Sequence, residues 1–328
     1  MRRIEAGSYY SYLPEGCKLC RRGSKLVLFI TGFCKNSCFY CPISKERMGR
    51  DVVFANEREV NSLEDFLAEI ELMSAEGVAI TGGEPLLKLE RVYEFVKLSK
   101  KLGLHVHLYT SIPAKEKVLR KLKIDEIRFH PPELQNPEIY EEPIKLAKRL
   151  GMDAGFEIPA IRFEPKIVEI ANRNDAFLNL NQLEASETNW SNLEERGYEI
   201  EDYYVECPEI IKMFEQANKF HYCTAKFKDS AQFRRRLIRM GMNHPDFYLV
   251  TSEGTLLCCR IEGNLDGAKK ILSEFNFEFE IFEDCIETSL KVAENEKLRE
   301  ALISAGCELY LVERYPTAKR TLIEVTRV

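Results

Sequence analysis

The chain has 328 residues, 45% hydrophobic and 30% charged, which suits a folded globular protein with one barrel-sized core or a core plus an appendage and excludes a disordered one. A formal net charge of -6 gives no bulk attraction to phosphate backbones, so nucleic acid would need a local basic patch. No apolar run reaches the length of a membrane span and the polar start Met-Arg-Arg-Ile-Glu-Ala-Gly-Ser is not a signal peptide, which points to the cytoplasm, where eleven cysteines indicate metal or redox chemistry rather than a disulfide framework.

In chain order, short apolar runs alternate with amphipathic ones. Residues 26–33 are apolar and run into a cysteine cluster, and 64–75 carry helical spacing. A short apolar run, 77–81, stops at Gly82-Gly83, and 89–102 is helical. A strand is expected at 105–110, a helix at 115–122, and a strand at 126–130 closed by Pro131-Pro132. A helix at 137–150 breaks at Gly151, a strand at 153–158 closes at Pro159, and a helix at 165–173 leads to a strand at 176–183. These six strand-then-helix units predict parallel strands with right-handed crossovers. Either a partial barrel or a doubly wound sheet would satisfy them.

Beyond residue 184 the pattern changes. A loop is expected at 189–197, helices at 202–220 and 229–240, a hairpin of 247–250 with 255–259, a helix at 292–305 and a terminal strand at 321–326. The predicted organisation is an N-terminal cysteine-containing segment (1–24), a barrel (25–186) and a C-terminal α+β extension (187–328).

Cys34-Lys35-Asn36-Ser37-Cys38-Phe39-Tyr40-Cys41 has C-x3-C-x2-C spacing. Thiolates suit iron–sulfur clusters and zinc. Three thiolates in eight residues can wrap one cuboidal cluster and leave one iron open, whereas structural zinc needs a fourth ligand that this loop does not supply. The loop follows the first predicted strand, and catalytic groups of parallel barrels sit at the C-terminal strand ends. The second strand ends in Thr81-Gly82-Gly83-Glu84-Pro85, where two glycines permit close backbone approach and Glu84 can accept from an amine. Alone, Gly-Gly-Glu-Pro is an ordinary turn.

Together, Cys34, Cys38, Cys41 and Gly82-Gly83-Glu84-Pro85 resemble the radical S-adenosylmethionine (SAM) superfamily over roughly residues 25–186. The resemblance implies a partial (β/α)6 TIM-like barrel and a [4Fe–4S] cluster on the three cysteines. It also implies SAM on the open iron, with 82–85 at its methionyl amine and Tyr40 near its adenine. One electron from the reduced cluster would give methionine and a 5′-deoxyadenosyl radical that takes hydrogen from an unidentified substrate, with an electron donor such as a ferredoxin or flavodoxin. More narrowly, Gly16-Cys17-x2-Cys20, His221-Tyr222-Cys223 and Lys228-Asp229 resemble an uncharacterised, mainly archaeal branch related to the pyruvate formate-lyase activating enzymes.

Thr110 and Ser111 end the third strand and are candidates for contact with the cofactor's ribose or carboxylate, or else an ordinary helix cap. Arg128, His130, Glu157, Asn179, Asn181 and Glu184 fall on later strands, where burial of polar groups favours the barrel interior; Glu157 is a further cofactor-binding candidate. Cys17, Cys20 and Cys223 are candidates for a second metal, zinc or an auxiliary iron–sulfur cluster, with His221 as an alternative ligand. Cys258-Cys259 is weaker, because adjacent strand residues face opposite ways, and Cys207, Cys285 and Cys307 read as core. Arg234-Arg235-Arg236 could meet a phosphate or an RNA backbone, but a solvated helix face explains it better. The competing readings are a radical enzyme, either a glycyl-radical activase or an RNA- or cofactor-modifying enzyme, and a zinc-binding, non-catalytic interaction protein on a barrel scaffold.

Overall fold

A computed structural model describes residues 1–328 and divides into two compact units: 1–69 with 75–233, and 70–74 with 234–328. In the first unit seven parallel strands follow one another in space as in sequence. They are β1 (Lys25–Phe29), β2 (Gly77–Thr81), β3 (His105–Thr110), β4 (Glu126–Phe129), β5 (Asp153–Pro159), β6 (Phe177–Asn181) and β7 (Lys219–Cys223). A doubly wound sheet reverses its strand order at a switch point. Here each strand pairs with its predecessor from β1 to β7 without reversal. Lys25 of β1 and His221 and Cys223 of β7 line one shared cavity, so the sheet curls round until its two ends face each other. The fold is therefore the partial barrel. Its closing edges pair antiparallel with short strands, Phe54–Ala55 on β1 and Tyr9–Tyr10 on β7.

The strands are apolar outwards and polar inwards. Leu26, Leu28, Ile127, Phe129, Phe156, Leu178 and Leu180 are all fully buried. Arg128, Asn179 and His221 alternate with them and are buried too, on the interior face. The crossover helices follow from their apolar stripes. In α3 (Leu89–Lys101; α1 and α2 are Glu15–Arg21 and Leu63–Leu72), Val92, Phe95, Val96 and Ser99 recur at helical spacing and are buried. Helix α1 precedes β1 and buries Gly16, Cys17, Leu19 and Cys20. The Gly16 N–H donates to the Glu126 carboxylate at the start of β4 (3.0 Å), and a Cβ at Gly16 would lie 2.6 Å from His107 Nδ1. Glycine here lets α1 close the N-terminal end of the barrel.

β7 extends the six expected strands to seven. The amphipathic reading of 202–220 is realised as a helix only over Pro208–Phe214, started by a proline with fixed φ; after a turn, alternation takes over, with Phe220 and Tyr222 opposite His221 and Cys223. Residues 189–197, expected as loop, contain a short helix, Trp190–Glu194. Residues 1–24 and 187–233 pack with the barrel in one compact unit.

The second unit is an antiparallel sheet with the order β9-β10-β8-β11-β12, where β8 is Leu256–Gly263, β9 Phe279–Ile281, β10 Ile286–Thr288, β11 Cys307–Arg314 and β12 Leu322–Arg327. The helix expected at 292–305 is two, Lys291–Glu294 and Glu296–Ser304, because the Asn295 side chain breaks out to cap the second by accepting from the Leu298 N–H. Cys258 and Cys259 face opposite ways, as alternation requires. Cys258 packs with Tyr248, Leu256 and Val312, and Cys259 with Ile261, Leu272 and Leu298, so both fill cores. Cys307 belongs to the Cys259 core, and Cys285 is buried.

Candidate functional site

The three-cysteine loop leaves the C-terminal end of β1 and is held against the end of β2 by backbone hydrogen bonds. Ile30 donates to Thr81 O (2.9 Å), Gly83 to Thr31 O (2.7 Å) and Glu84 to Phe33 O (2.8 Å). This pairing explains both glycines. A Cβ at Gly82, whose φ is +153°, would lie 2.6 Å from Thr31 O, and one at Gly83 would lie 2.4 Å from Phe33 O. Only glycine lets the two strand ends approach this closely. Gly83→Ala is accordingly expected to displace Phe33 and the adjoining Cys34. Iron content after anaerobic reconstitution should fall severalfold with the circular dichroism spectrum unchanged; full iron loading would show that the close approach is not needed.

Cys34 is exposed and Cys38 and Cys41 half-buried, and all three are free thiols. The Asn36 N–H donates to Cys34 Sγ (3.4 Å) and its Nδ2 to Ser111 Oγ (2.8 Å), which ties the loop to the end of β3. Burial raises the Cys38 thiol, opposed by a hydrogen bond with Tyr40, and burial raises Cys41. Tyr40 is buried. Its hydroxyl lies 3.0 Å from His130 Nε2 and accepts from the Glu133 N–H (2.9 Å), and its carbonyl accepts from Asn189 Nδ2 (2.9 Å). In this arrangement Tyr40 anchors the cysteine loop across the barrel mouth.

Glu84, Thr110 and Ser111 come together. The buried Glu84 carboxylate accepts from Thr110 Oγ1 (2.7 Å), Ser111 Oγ (2.6 Å), Ser111 N–H (2.7 Å) and Leu86 N–H (3.0 Å). The residues expected at separate points on a cofactor are thus bonded to each other across the ends of β2 and β3. They lock Gly82–Pro85 in place, a link that spacing could not reveal because it spans 26 residues.

Deeper in the barrel, Arg128 is fully buried between two carboxylates. It donates to Glu126 through Nε (2.5 Å) and to Glu157 through Nη1 (2.5 Å). Asn179 and Asn181 each donate to Glu157 (3.0 Å). Burial pushes the Glu157 carboxyl up, but Arg128 and the two amides outweigh it and hold the group at about 2. Glu157 therefore stays ionised. These groups line a cavity of about 220 Å3 inside the barrel, together with Cys17, Cys20 and Cys223. The cavity thus gathers three cysteines that the sequence scatters over 207 positions (Cys17 to Cys223), with Lys25, Tyr109 and Lys228, whose interior placement no sequence signal marked.

The loop fits an iron–sulfur cluster. Three free thiols on one loop are the donor set of a cuboidal cluster with one open iron, and not the closed four-ligand set of structural zinc. A cluster held by these three thiolates would supply single-electron chemistry to a molecule bound beside it.

The Radical SAM superfamily profile matches residues 28–204, and a domain of unknown function, DUF8061, matches 254–328. A protein of Methanocaldococcus jannaschii is 38% identical over 97% of this chain and 93% of its own length; its description, glycyl-radical enzyme activating enzyme MJ0021, is itself provisional. Among solved structures, Streptococcus suis SuiB bound to S-adenosylmethionine matches with a TM-score of 0.42 and 13% identity over 61% of this chain and 50% of that one. SuiB bound to its precursor peptide SuiA matches at 0.38 and 14%, over 51% of this chain and 42% of that one. The chain spans about half the length of these SuiB chains, and likeness at this level carries no argument.

Proposed function

The chain belongs to the radical SAM superfamily, and we propose that it reductively cleaves SAM beside the Cys34–Cys41 loop and takes a hydrogen atom from a substrate at the C-terminal mouth of its barrel. The observation that carries this is the pinning of the cysteine loop to the end of β2 through Gly82 and Gly83. Family membership makes the chain an enzyme of this class, and the reading as a non-catalytic zinc scaffold is set aside.

Cys34, Cys38 and Cys41 would hold the [4Fe–4S] cluster, which would supply the single electron for reductive cleavage of SAM. The protein's part is positional. Gly82 and Gly83 bring the SAM-facing segment against the loop. Glu84, Thr110 and Ser111 fix that segment as one hydrogen-bonded unit, and Asn36 joins it to the loop. Pro85 starts the following turn, with Glu84 capping it. Tyr40 and His130 hold the loop over the barrel mouth. Glu157, held by Arg128, presents a fixed negative charge inside the barrel, suited to a cationic or hydroxyl-bearing group of the cofactor or substrate. The exposed Cys34–Asn36 stretch leaves room for a small electron donor such as a ferredoxin or flavodoxin to approach.

For the substrate, the Methanocaldococcus relative favours the polypeptide glycine of a glycyl-radical enzyme over RNA or a cofactor. Mixing the reduced protein with SAM and each glycyl-radical enzyme of its own host tests this. A glycyl radical signal in electron paramagnetic resonance (EPR), formed with stoichiometric 5′-deoxyadenosine, supports activation. Deoxyadenosine formation with no glycyl radical on any of them rejects it.

A further inference from the structure

Helix α1 and strand β7 place three more thiols on one cavity. Cys17 and Cys20 lie three residues apart, hence on one face of α1, and both are buried. Cys223 ends β7 and is buried as well. All three line the interior cavity of about 220 Å3, and none is in a disulfide. We propose that Cys17, Cys20 and Cys223 hold a second iron–sulfur cluster, of the [4Fe–4S] type, inside the barrel and separate from the one on Cys34, Cys38 and Cys41.

Three independent features support it. The first is placement. Cys17 and Cys20 from one face of α1 and Cys223 from the end of β7 reach the same cavity from two separate elements. His105, His107 and Glu126 also converge, but Glu126 is already engaged by Arg128 and the Gly16 N–H.

The second is charge. Lys25 is buried on β1 and lines the cavity beside the thiols, where Glu157 is its carboxylate partner. Its ammonium also faces Cys20 and Cys17, a cation placed to balance the negative charge of metal-bound thiolates. Arg128 Nη2 and Asn179 Nδ2 lie 3.3 and 3.5 Å from Cys17 Sγ, donors of the kind that stabilise cluster sulfur. Lys228 is a further cation on the same cavity, paired with Glu184.

The third is His221. It is buried one residue pair from Cys223 on the same strand face, it lines the cavity, and neither ring nitrogen has a partner. Orphaned buried imidazole nitrogens are costly, and a cluster sulfide beside the ring would give its N–H an acceptor.

The test uses the full chain, prepared anaerobically and reconstituted with iron and sulfide, in three forms: wild type, Cys34→Ala/Cys38→Ala/Cys41→Ala, and Cys17→Ser/Cys20→Ser. Wild type should bind about eight irons and the triple variant about four, the count of one cuboidal cluster. The triple variant's reduced EPR signal should not respond to SAM. Cys17→Ser/Cys20→Ser should keep about four irons and a signal that SAM alters. Because the Cys34 loop is exposed, the triple variant is expected to fold, and an unchanged circular dichroism spectrum checks this. A folded triple variant with no iron, or with one zinc in its place, overturns the second cluster. Neither result touches SAM cleavage in wild type, so the proposed function stands or falls separately.

Discussion

Cys38→Ala is expected to abolish 5′-deoxyadenosine formation from SAM and reductant, with the fold intact. The loss should exceed the roughly 10–100-fold that removal of an outer-shell partner costs a metal site, because a ligand itself is gone. The fold should survive because Cys38 is half-buried and the loop is held by other groups: Gly83 and Glu84 N–H on its first carbonyls, and Asn189 on the Tyr40 carbonyl. Cys34→Ala and Cys41→Ala should behave alike, which distinguishes a three-ligand site from one in which a single cysteine matters. Chromatographic assay of deoxyadenosine reads the effect. A variant retaining more than a few per cent of wild-type cleavage would show that its cysteine is not a ligand.

Arg128→Met should cause the largest loss of stability. Arg128 is 1% exposed and bridges Glu126 and Glu157, so its removal takes away the cation that both carboxylates share. Breaking a buried pair in this way costs about 3–5 kcal/mol. The cost should depend on pH with a defined sign. The Glu157 carboxyl is held at about 2, below its ordinary value near 4.5, so in wild type it contributes stability that is fully present above the unfolded pKa and is lost as pH falls through about 2. Without Arg128 the largest of the groups that lower the carboxyl is gone, and burial pushes it up against only Lys25 and the two amides. The gap between wild type and variant should therefore be widest at neutral pH and narrow below about pH 4, as the unpaired carboxylates take up protons. Anaerobic urea unfolding at pH 7 and pH 4 measures it. An equal gap at both values would mean that packing of the long side chain, rather than charge, carries the effect.

The cluster loop and the Gly-Gly-Glu-Pro segment were legible because their chemistry is local. Three cysteines in eight residues and two glycines in a row leave few physical explanations, and the strand ends on which they sit follow from alternation of apolar runs. The links within the segment were not legible. Glu84 accepts from Thr110 and Ser111, partners 26 and 27 residues away that only the parallel pairing of β2 and β3 brings near. Tyr40 likewise closes on His130 across 90 residues. The seventh strand escaped because five residues carry too little alternation to outweigh the amphipathic run that precedes them. For the same reason β11, eight residues from Cys307 to Arg314, passed unread: its polar face alternates Glu308, Tyr310 and Glu313 irregularly. The choice between a barrel and a doubly wound sheet lay in strand order, which pairing decides. The gathering of Cys17, Cys20 and Cys223 depended on β7 reaching the cavity and on Gly16 allowing α1 to pack under β3 and β4, neither of which a spacing rule contains.

The central claim is that this chain generates a radical from SAM at Cys34, Cys38 and Cys41. It is tested most directly by incubating the anaerobically reconstituted wild-type protein with SAM and dithionite and measuring 5′-deoxyadenosine and methionine together. The account predicts both products in equal amounts, dependent on reductant. SAM left intact by a protein fully loaded with iron and sulfide, or cleaved at the same rate without reductant, would contradict it.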